Sequence, residues 1–106
     1  MGYKKIRIKP HPGGNLSYAN AKLETGYGKI SVHWKIADKK FMMGVEIPAN
    51  TSAVIYVPAS TAESITENGK PLSEVKEITE TGKEGNYMVL QVGSGIYHFS
   101  SVIDVL

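Results

Sequence analysis

The chain has 106 residues, a formal net charge of +2 and no cysteine. That length fits one domain of about 100–150 residues, and the missing cysteine excludes a disulfide framework and a thiolate metal centre. No apolar run approaches the roughly 18 residues that span a bilayer, and Lys4 and Lys5 interrupt any apolar signal-peptide core behind Met1.

Ile6 and Ile8 alternate with Lys5, Arg7 and Lys9, the pattern of a short half-buried strand. Prolines cannot donate to a sheet ladder, so His11-Pro12-Gly13-Gly14 reads as the loop that ends it. Ser17 to Thr25 reads as a second strand, with Ala19, Ala21 and Leu23 on one face, and Gly26-Tyr27-Gly28 as a turn. Ile30, Val32, Trp34 and Ile36 then alternate with Lys29, Ser31, His33 and Lys35, which places Trp34 inward and His33 outward.

Asp38-Lys39 marks a polar hairpin turn, and Phe41, Met43, Val45 and Ile47 repeat the inward pattern on the return strand. Trp34, Ile30, Val32, Phe41 and Val45 are therefore the expected core. After a turn at Ala49-Asn50-Thr51, the run from Ser52 to Val57 is apolar on both sides, as in a strand covered on both faces. Asn68-Gly69 is a hairpin signal, because both central residues of a type I′ turn need positive φ. Residues 73–85 are polar, and Val75 with Ile78 fits either a weak strand or one helical turn. Tyr87 to Val92 and Ile96 to Phe99 read as strands joined by a tight turn at Gly93-Ser94-Gly95, and the tail after Ser100 reads as short and unstructured.

About eight strands, turn signals between them and no long amphipathic helix predict an all-β fold: an antiparallel β-sandwich, Greek-key or jelly-roll-like, formed by residues 1–106 as a single domain.

The charge is unevenly spread. Residues 1–40 carry nine basic and two acidic groups, whereas residues 63–84 carry six glutamates. A nucleic-acid binder gathers its cations on one face beside aromatics or a groove-entering helix. These lysines instead alternate along separate strands, as on a solvated sheet face, so neither a nucleic acid nor a membrane is an expected partner.

Few residues point to chemistry. Gly93-Ser94-Gly95 lies between strands and is too short to cradle a phosphate. His11, His33 and His98 fall on different elements, so a shared metal site would need convergence in space, and no cofactor is expected. Glycoside hydrolysis needs two carboxyl groups facing each other across a sugar. None of the ten acids has an obvious partner on a strand end: Glu46 alternates outward, and the glutamates from Glu63 to Glu84 read as a solubilising surface. Tyr18 and Tyr27 flank turns at one end of the sandwich and, with His11, are the candidates for a sugar or interdomain contact, although a tyrosine beside a turn commonly bonds locally.

The ordered pieces Tyr3-Lys4-Lys5-Ile6-Arg7-Ile8-Lys9-Pro10, His11-Pro12-Gly13-Gly14, Leu23-Glu24-Thr25, Tyr27-Gly28-Lys29-Ile30 and Trp34 resemble the C-terminal β-sandwich domain of bacterial α-L-rhamnosidases. Val45-Glu46-Ile47-Pro48-Ala49-Asn50-Thr51, Glu67-Asn68-Gly69-Lys70 and Val92-Gly93-Ser94-Gly95-Ile96-Tyr97-His98-Phe99 extend the likeness to Ser100. The resemblance implies part of a multidomain inverting glycosidase that removes terminal α-L-rhamnose, with its acid and base in an (α/α)6 barrel that precedes the sandwich. Nothing in these residues resembles that barrel, so no catalytic residue carries over. The implied role is to brace the barrel of the same parent chain, through an apolar patch on one face. The competing expectation is an independent carbohydrate-binding module for rhamnose-containing glycans. The lack of cysteine fits a cytoplasmic, periplasmic or secreted parent alike.

Overall fold

A computed structural model describes residues 4–11, 18–25 and 28–103. Ten strands occur among them: β1 (Lys4–Ile8), β2 (Tyr18–Thr25), β3 (Gly28–Ala37), β4 (Lys40–Ile47), β5 (Thr51–Pro58), β6 (Thr66–Glu67), β7 (Lys70–Pro71), β8 (Ile78–Glu84), β9 (Tyr87–Val92) and β10 (Gly95–Val102). They form a four-stranded sheet in the order β1-β5-β9-β8 and a six-stranded sheet in the order β2-β3-β4-β10-β6-β7. The result is the expected all-β sandwich, with the chain passing repeatedly from one sheet to the other.

Turn chemistry sets much of the local structure. Asp38 and Lys39 take φ of 53° and 63° between β3 and β4, and Asn68 and Gly69 take 54° and 84° between β6 and β7. Those positive pairs give the primed turns whose twist matches flanking antiparallel strands. Of the two residues that fitted a weak strand or one helical turn, Ile78 opens β8, and Val75 caps a 3-10 turn at Leu72–Glu74.

The core lies between the sheets. Alternation in β3 and β4 sends Ile30, Trp34, Phe41, Met43, Val45 and Ile47 inward, all buried, with Val32 half-buried against them. The facing sheet contributes Ala53, Ile55, Val57 and Leu90, each at 0% exposure. Full burial of a valine, leucine or isoleucine side chain stabilises by about 1.5–3 kcal/mol. Two ring pairs order the layer: Trp34–Phe41, with centroids 5.8 Å apart, and Tyr97–Phe99, nearly parallel at 6.0 Å. Ser101 Oγ donates to the Pro58 carbonyl at 2.7 Å in the interior, tying β10 to β5 across the sandwich.

Three expectations are corrected. Gly93-Ser94-Gly95 is not a hairpin turn, because β9 and β10 belong to different sheets and the segment carries the chain across. The final strand runs on to Val102, and Ile103 is buried, its N–H donating to the Lys39 carbonyl at 2.9 Å. The sheets are not wholly antiparallel, since β1 pairs parallel to β5 from Lys4 opposite Thr51 to Ile8 opposite Ile55. Residues 12–17, 26 and 27, which include most of the proline-glycine loop and the turn glycine Gly26, lie outside the described residues.

Candidate functional site

The ladders of the six-stranded sheet fix which outward residues become neighbours. Asn20 of β2 stands opposite His33 of β3, His33 opposite Gly44 of β4, and Gly44 opposite His98 of β10. Asn68, at the tip of the β6–β7 hairpin, donates its N–H to the His98 carbonyl at 2.7 Å. The outer face therefore carries one transverse row, Asn20–His33–Gly44–His98–Asn68. At roughly 4.8 Å per strand the row is ~19 Å long.

A groove of about 510 Å³ follows this row, bounded also by Lys35, Met42 and Ser100. Gly44 is central to its shape. A Cβ at that position would collide with Cε1 and Nε2 of the His33 ring, so the imidazole lies over a stretch of bare backbone. Glycine weakens a strand interior and often marks such a close approach. On the other side, the β6–β7 hairpin holds His98: its N–H donates to Glu67 Oε2 at 3.0 Å and its carbonyl accepts from Asn68. Glu67 is the buried exception among the glutamates read as surface, at 9% exposure.

Among the described residues that line the groove there is no carboxylate, and Lys35 is the one permanently ionised group. Glu46 is exposed on the same face one row away, opposite Ser31 and Ile96. No group of three or more His, Cys, Asp or Glu residues suited to a metal ion occurs among the described residues. Inverting hydrolysis of a glycoside uses two carboxyl groups roughly 6.5–9.5 Å apart, which the described residues of this groove do not supply. The arrangement is suited to hydrogen bonding with neutral groups.

The opposite exterior, on the four-stranded sheet, is aromatic and basic. Tyr56 and Tyr87 meet edge to face with centroids 6.0 Å apart. Arg7 Cζ lies 4.9 Å from the Tyr56 ring centroid, and Lys9 Nζ lies 5.1 Å from both rings. This cover leaves Tyr56 only 7% exposed. Tyr87 donates its hydroxyl to the Pro10 carbonyl at 2.7 Å, and burial pushes its pKa above the ordinary 10.0. The large apolar side chains exposed among the described residues are Ile96 and Val102. They stand three outward positions apart on β10 rather than in one contiguous patch.

Of the contact candidates named from sequence, His11 is exposed just beyond β1 and does not line the groove. Tyr18 opens β2 with its backbone opposite Lys35, and Tyr27 lies outside the described residues. Two of the three histidines do share a face, although they come from different elements. The sequence signal that could have found them is Gly44, an isolated glycine in an otherwise apolar alternating strand with a histidine one strand away.

Residues 1–71 match the family model described as the bacterial alpha-L-rhamnosidase C-terminal domain. The chain is 30% identical over 100 residues to an alpha-L-rhamnosidase of Formosa agariphila, covering 94% of this chain and 11% of that protein. It is 27% identical over 99 residues to an alpha-L-rhamnosidase of Streptomyces avermitilis, covering 93% of this chain and 9% of that protein. Among solved structures, it superposes on the Streptomyces avermitilis alpha-L-rhamnosidase complexed with L-rhamnose with a TM-score of 0.79, at 27% identity, covering 93% of this chain and 9% of that one. It superposes on the alpha-L-rhamnosidase from Dictyoglumus thermophilum with a TM-score of 0.77 at 32% identity, covering 93% of this chain and 11% of that one. The chain thus spans about a tenth of the length of these relatives. Shared sequence over two-thirds of the chain and a shared sandwich over nearly all of it lead to one assignment: the chain belongs to the bacterial alpha-L-rhamnosidase C-terminal domain family.

Proposed function

We propose that the chain is a non-catalytic accessory domain that braces the (α/α)6 catalytic barrel of a parent enzyme, and that this parent hydrolyses terminal α-L-rhamnose from glycosides or polysaccharides. The observation that carries the non-catalytic reading is the lining of the groove: its described residues offer imidazoles, amides, a hydroxyl and one ammonium, without a carboxylate to act as acid or base. The bracing face is the exterior of the four-stranded sheet. Tyrosine and arginine are enriched at the centres of protein interfaces, and Arg7, Lys9, Tyr56 and Tyr87 are already held together there.

Two measurements test this. The chain incubated alone with an aryl α-L-rhamnoside is expected to release no phenol; turnover abolished by replacing Glu46 would overturn the non-catalytic reading. Added to the separately produced remainder of its parent, the chain is expected to bind and raise that fragment's Tm. Arg7→Glu with Lys9→Glu is expected to remove both effects. If the native chain neither binds nor stabilises the remainder, the bracing role fails.

A further inference from the structure

We propose that the transverse groove of the six-stranded sheet is a binding site for a neutral polyhydroxylated ligand, a short glycan lying across the strands, with Asn20, His33, His98 and Asn68 as its hydrogen-bonding groups. The site is assigned from the groove alone; only the choice of rhamnose-containing probes rests on the proposed function.

The hydrogen-bonding inventory is the first argument. A carboxamide offers an acceptor and two donors, and a neutral imidazole offers one of each. A sugar hydroxyl both donates and accepts, so each of these four side chains matches it in either sense. None of the four side chains makes a hydrogen bond to another described residue, so this capacity faces the groove unused. Charge is the second argument. Among the described lining residues a cation would find no carboxylate and a polyanion only Lys35, whereas a neutral ligand loses nothing to either.

Shape is the third. The bare backbone of Gly44 lets the His33 ring settle onto the sheet, giving a low floor flanked by Met42 on which the C–H face of a pyranose can rest. A volume of about 510 Å³ falls within the roughly 300–1,000 Å³ of small-molecule sites. Three of the four groups stand on paired strands, and the fourth sits on a two-residue turn bonded to β10, so the row is set by ladders rather than by a mobile loop.

The test is an NMR titration of the chain with L-rhamnose, rhamnose-containing oligosaccharides and, for comparison, neutral oligosaccharides lacking rhamnose. Saturable shifts at His33, Gly44, His98 and Asn68 are expected at millimolar ligand. His98→Ala, at an exposed position, is expected to keep the fold and weaken binding about tenfold, the loss of one good hydrogen bond. Gly44→Ala, which displaces the His33 ring, is expected to weaken it further, and Arg7→Ala on the opposite sheet is expected to leave it unchanged. Binding of oligosaccharides without rhamnose supports the site while counting against rhamnose as its preferred sugar. Shifts confined to other surfaces, a response to Zn2+ or an extended peptide but to no sugar, or no shift with any saccharide would each overturn the proposal. None of those results bears on whether the chain binds and stabilises its parent's barrel.

Discussion

Tyr97 shows how one buried hydroxyl couples the fold to pH. Its O–H donates to the Gly93 carbonyl at 3.0 Å, and its pKa is raised above 10.0 first by burial and then by the carboxylates of Glu77 and Glu67. A pKa higher in the fold than in the unfolded chain means that the stabilisation is complete below pH 10 and is lost as pH rises through the folded value. Urea midpoints are therefore expected to fall above pH 10. Tyr97→Phe is expected to cost about 1 kcal/mol at neutral pH and to flatten that alkaline decline. An unchanged alkaline slope in the variant would remove Tyr97 as its cause. Ser101 makes a second test. It is 1% exposed and donates across the sandwich to Pro58, so Ser101→Ala leaves a buried carbonyl without its donor. A loss of about 1–3 kcal/mol is expected from equilibrium denaturation.

At the scale of elements, the β3–β4 hairpin turns on two non-glycine residues at positive φ, Asp38 and Lys39. Side chains there cost roughly 1–2 kcal/mol per residue, which glycine does not incur. Lys39→Gly preserves the backbone carbonyl that receives the Ile103 N–H and is expected to raise stability by about 1 kcal/mol. A lower Tm would mean that Lys39 makes a compensating side-chain contact. The same hairpin marks what the sequence makes legible. Period-2 alternation from Lys29 to Ile47 identifies both faces of β3 and β4, because burial acts on every second residue whatever the strand pairs with. Turn residues report only that the chain changes direction. Gly93-Ser94-Gly95 would look the same leading back into its own sheet or across to the other, which is why a crossing reads as a hairpin. The parallel partnership of β1 with β5 is hidden for a related reason, since about forty residues separate the two strands. The groove was least legible of all. Its four polar groups come from β2, β3, β10 and the β6–β7 turn, and only the ladder registers bring them into line.

For the whole molecule, the sandwich separates two exteriors of different chemistry on opposite sides of one core. The aromatic and basic side holds its cations over tyrosine rings, and the grooved side holds amides, imidazoles and Lys35 around a glycine. Because the two faces share no residue, substitutions on one are expected to leave the other's measured property unchanged. Arg7→Glu combined with His98→Ala should give the sum of the single effects on stability within about 0.5 kcal/mol. A larger coupling would show that the core transmits strain between the sheets.

The position of β10 has a consequence for how the chain is made. It lies between β4 and β6 in the six-stranded sheet and reaches across the sandwich through Ser101, yet it occupies residues 95–102. A nascent chain that has emerged only as far as Ser94 holds β2-β3-β4 and β6-β7 as fragments of a sheet with no strand to join them. Ribosome-bound chains ending at Ser94 are accordingly expected to stay protease-sensitive, and those extended by a linker past Ile103 to become resistant. Closure of the core thus waits on the final strand.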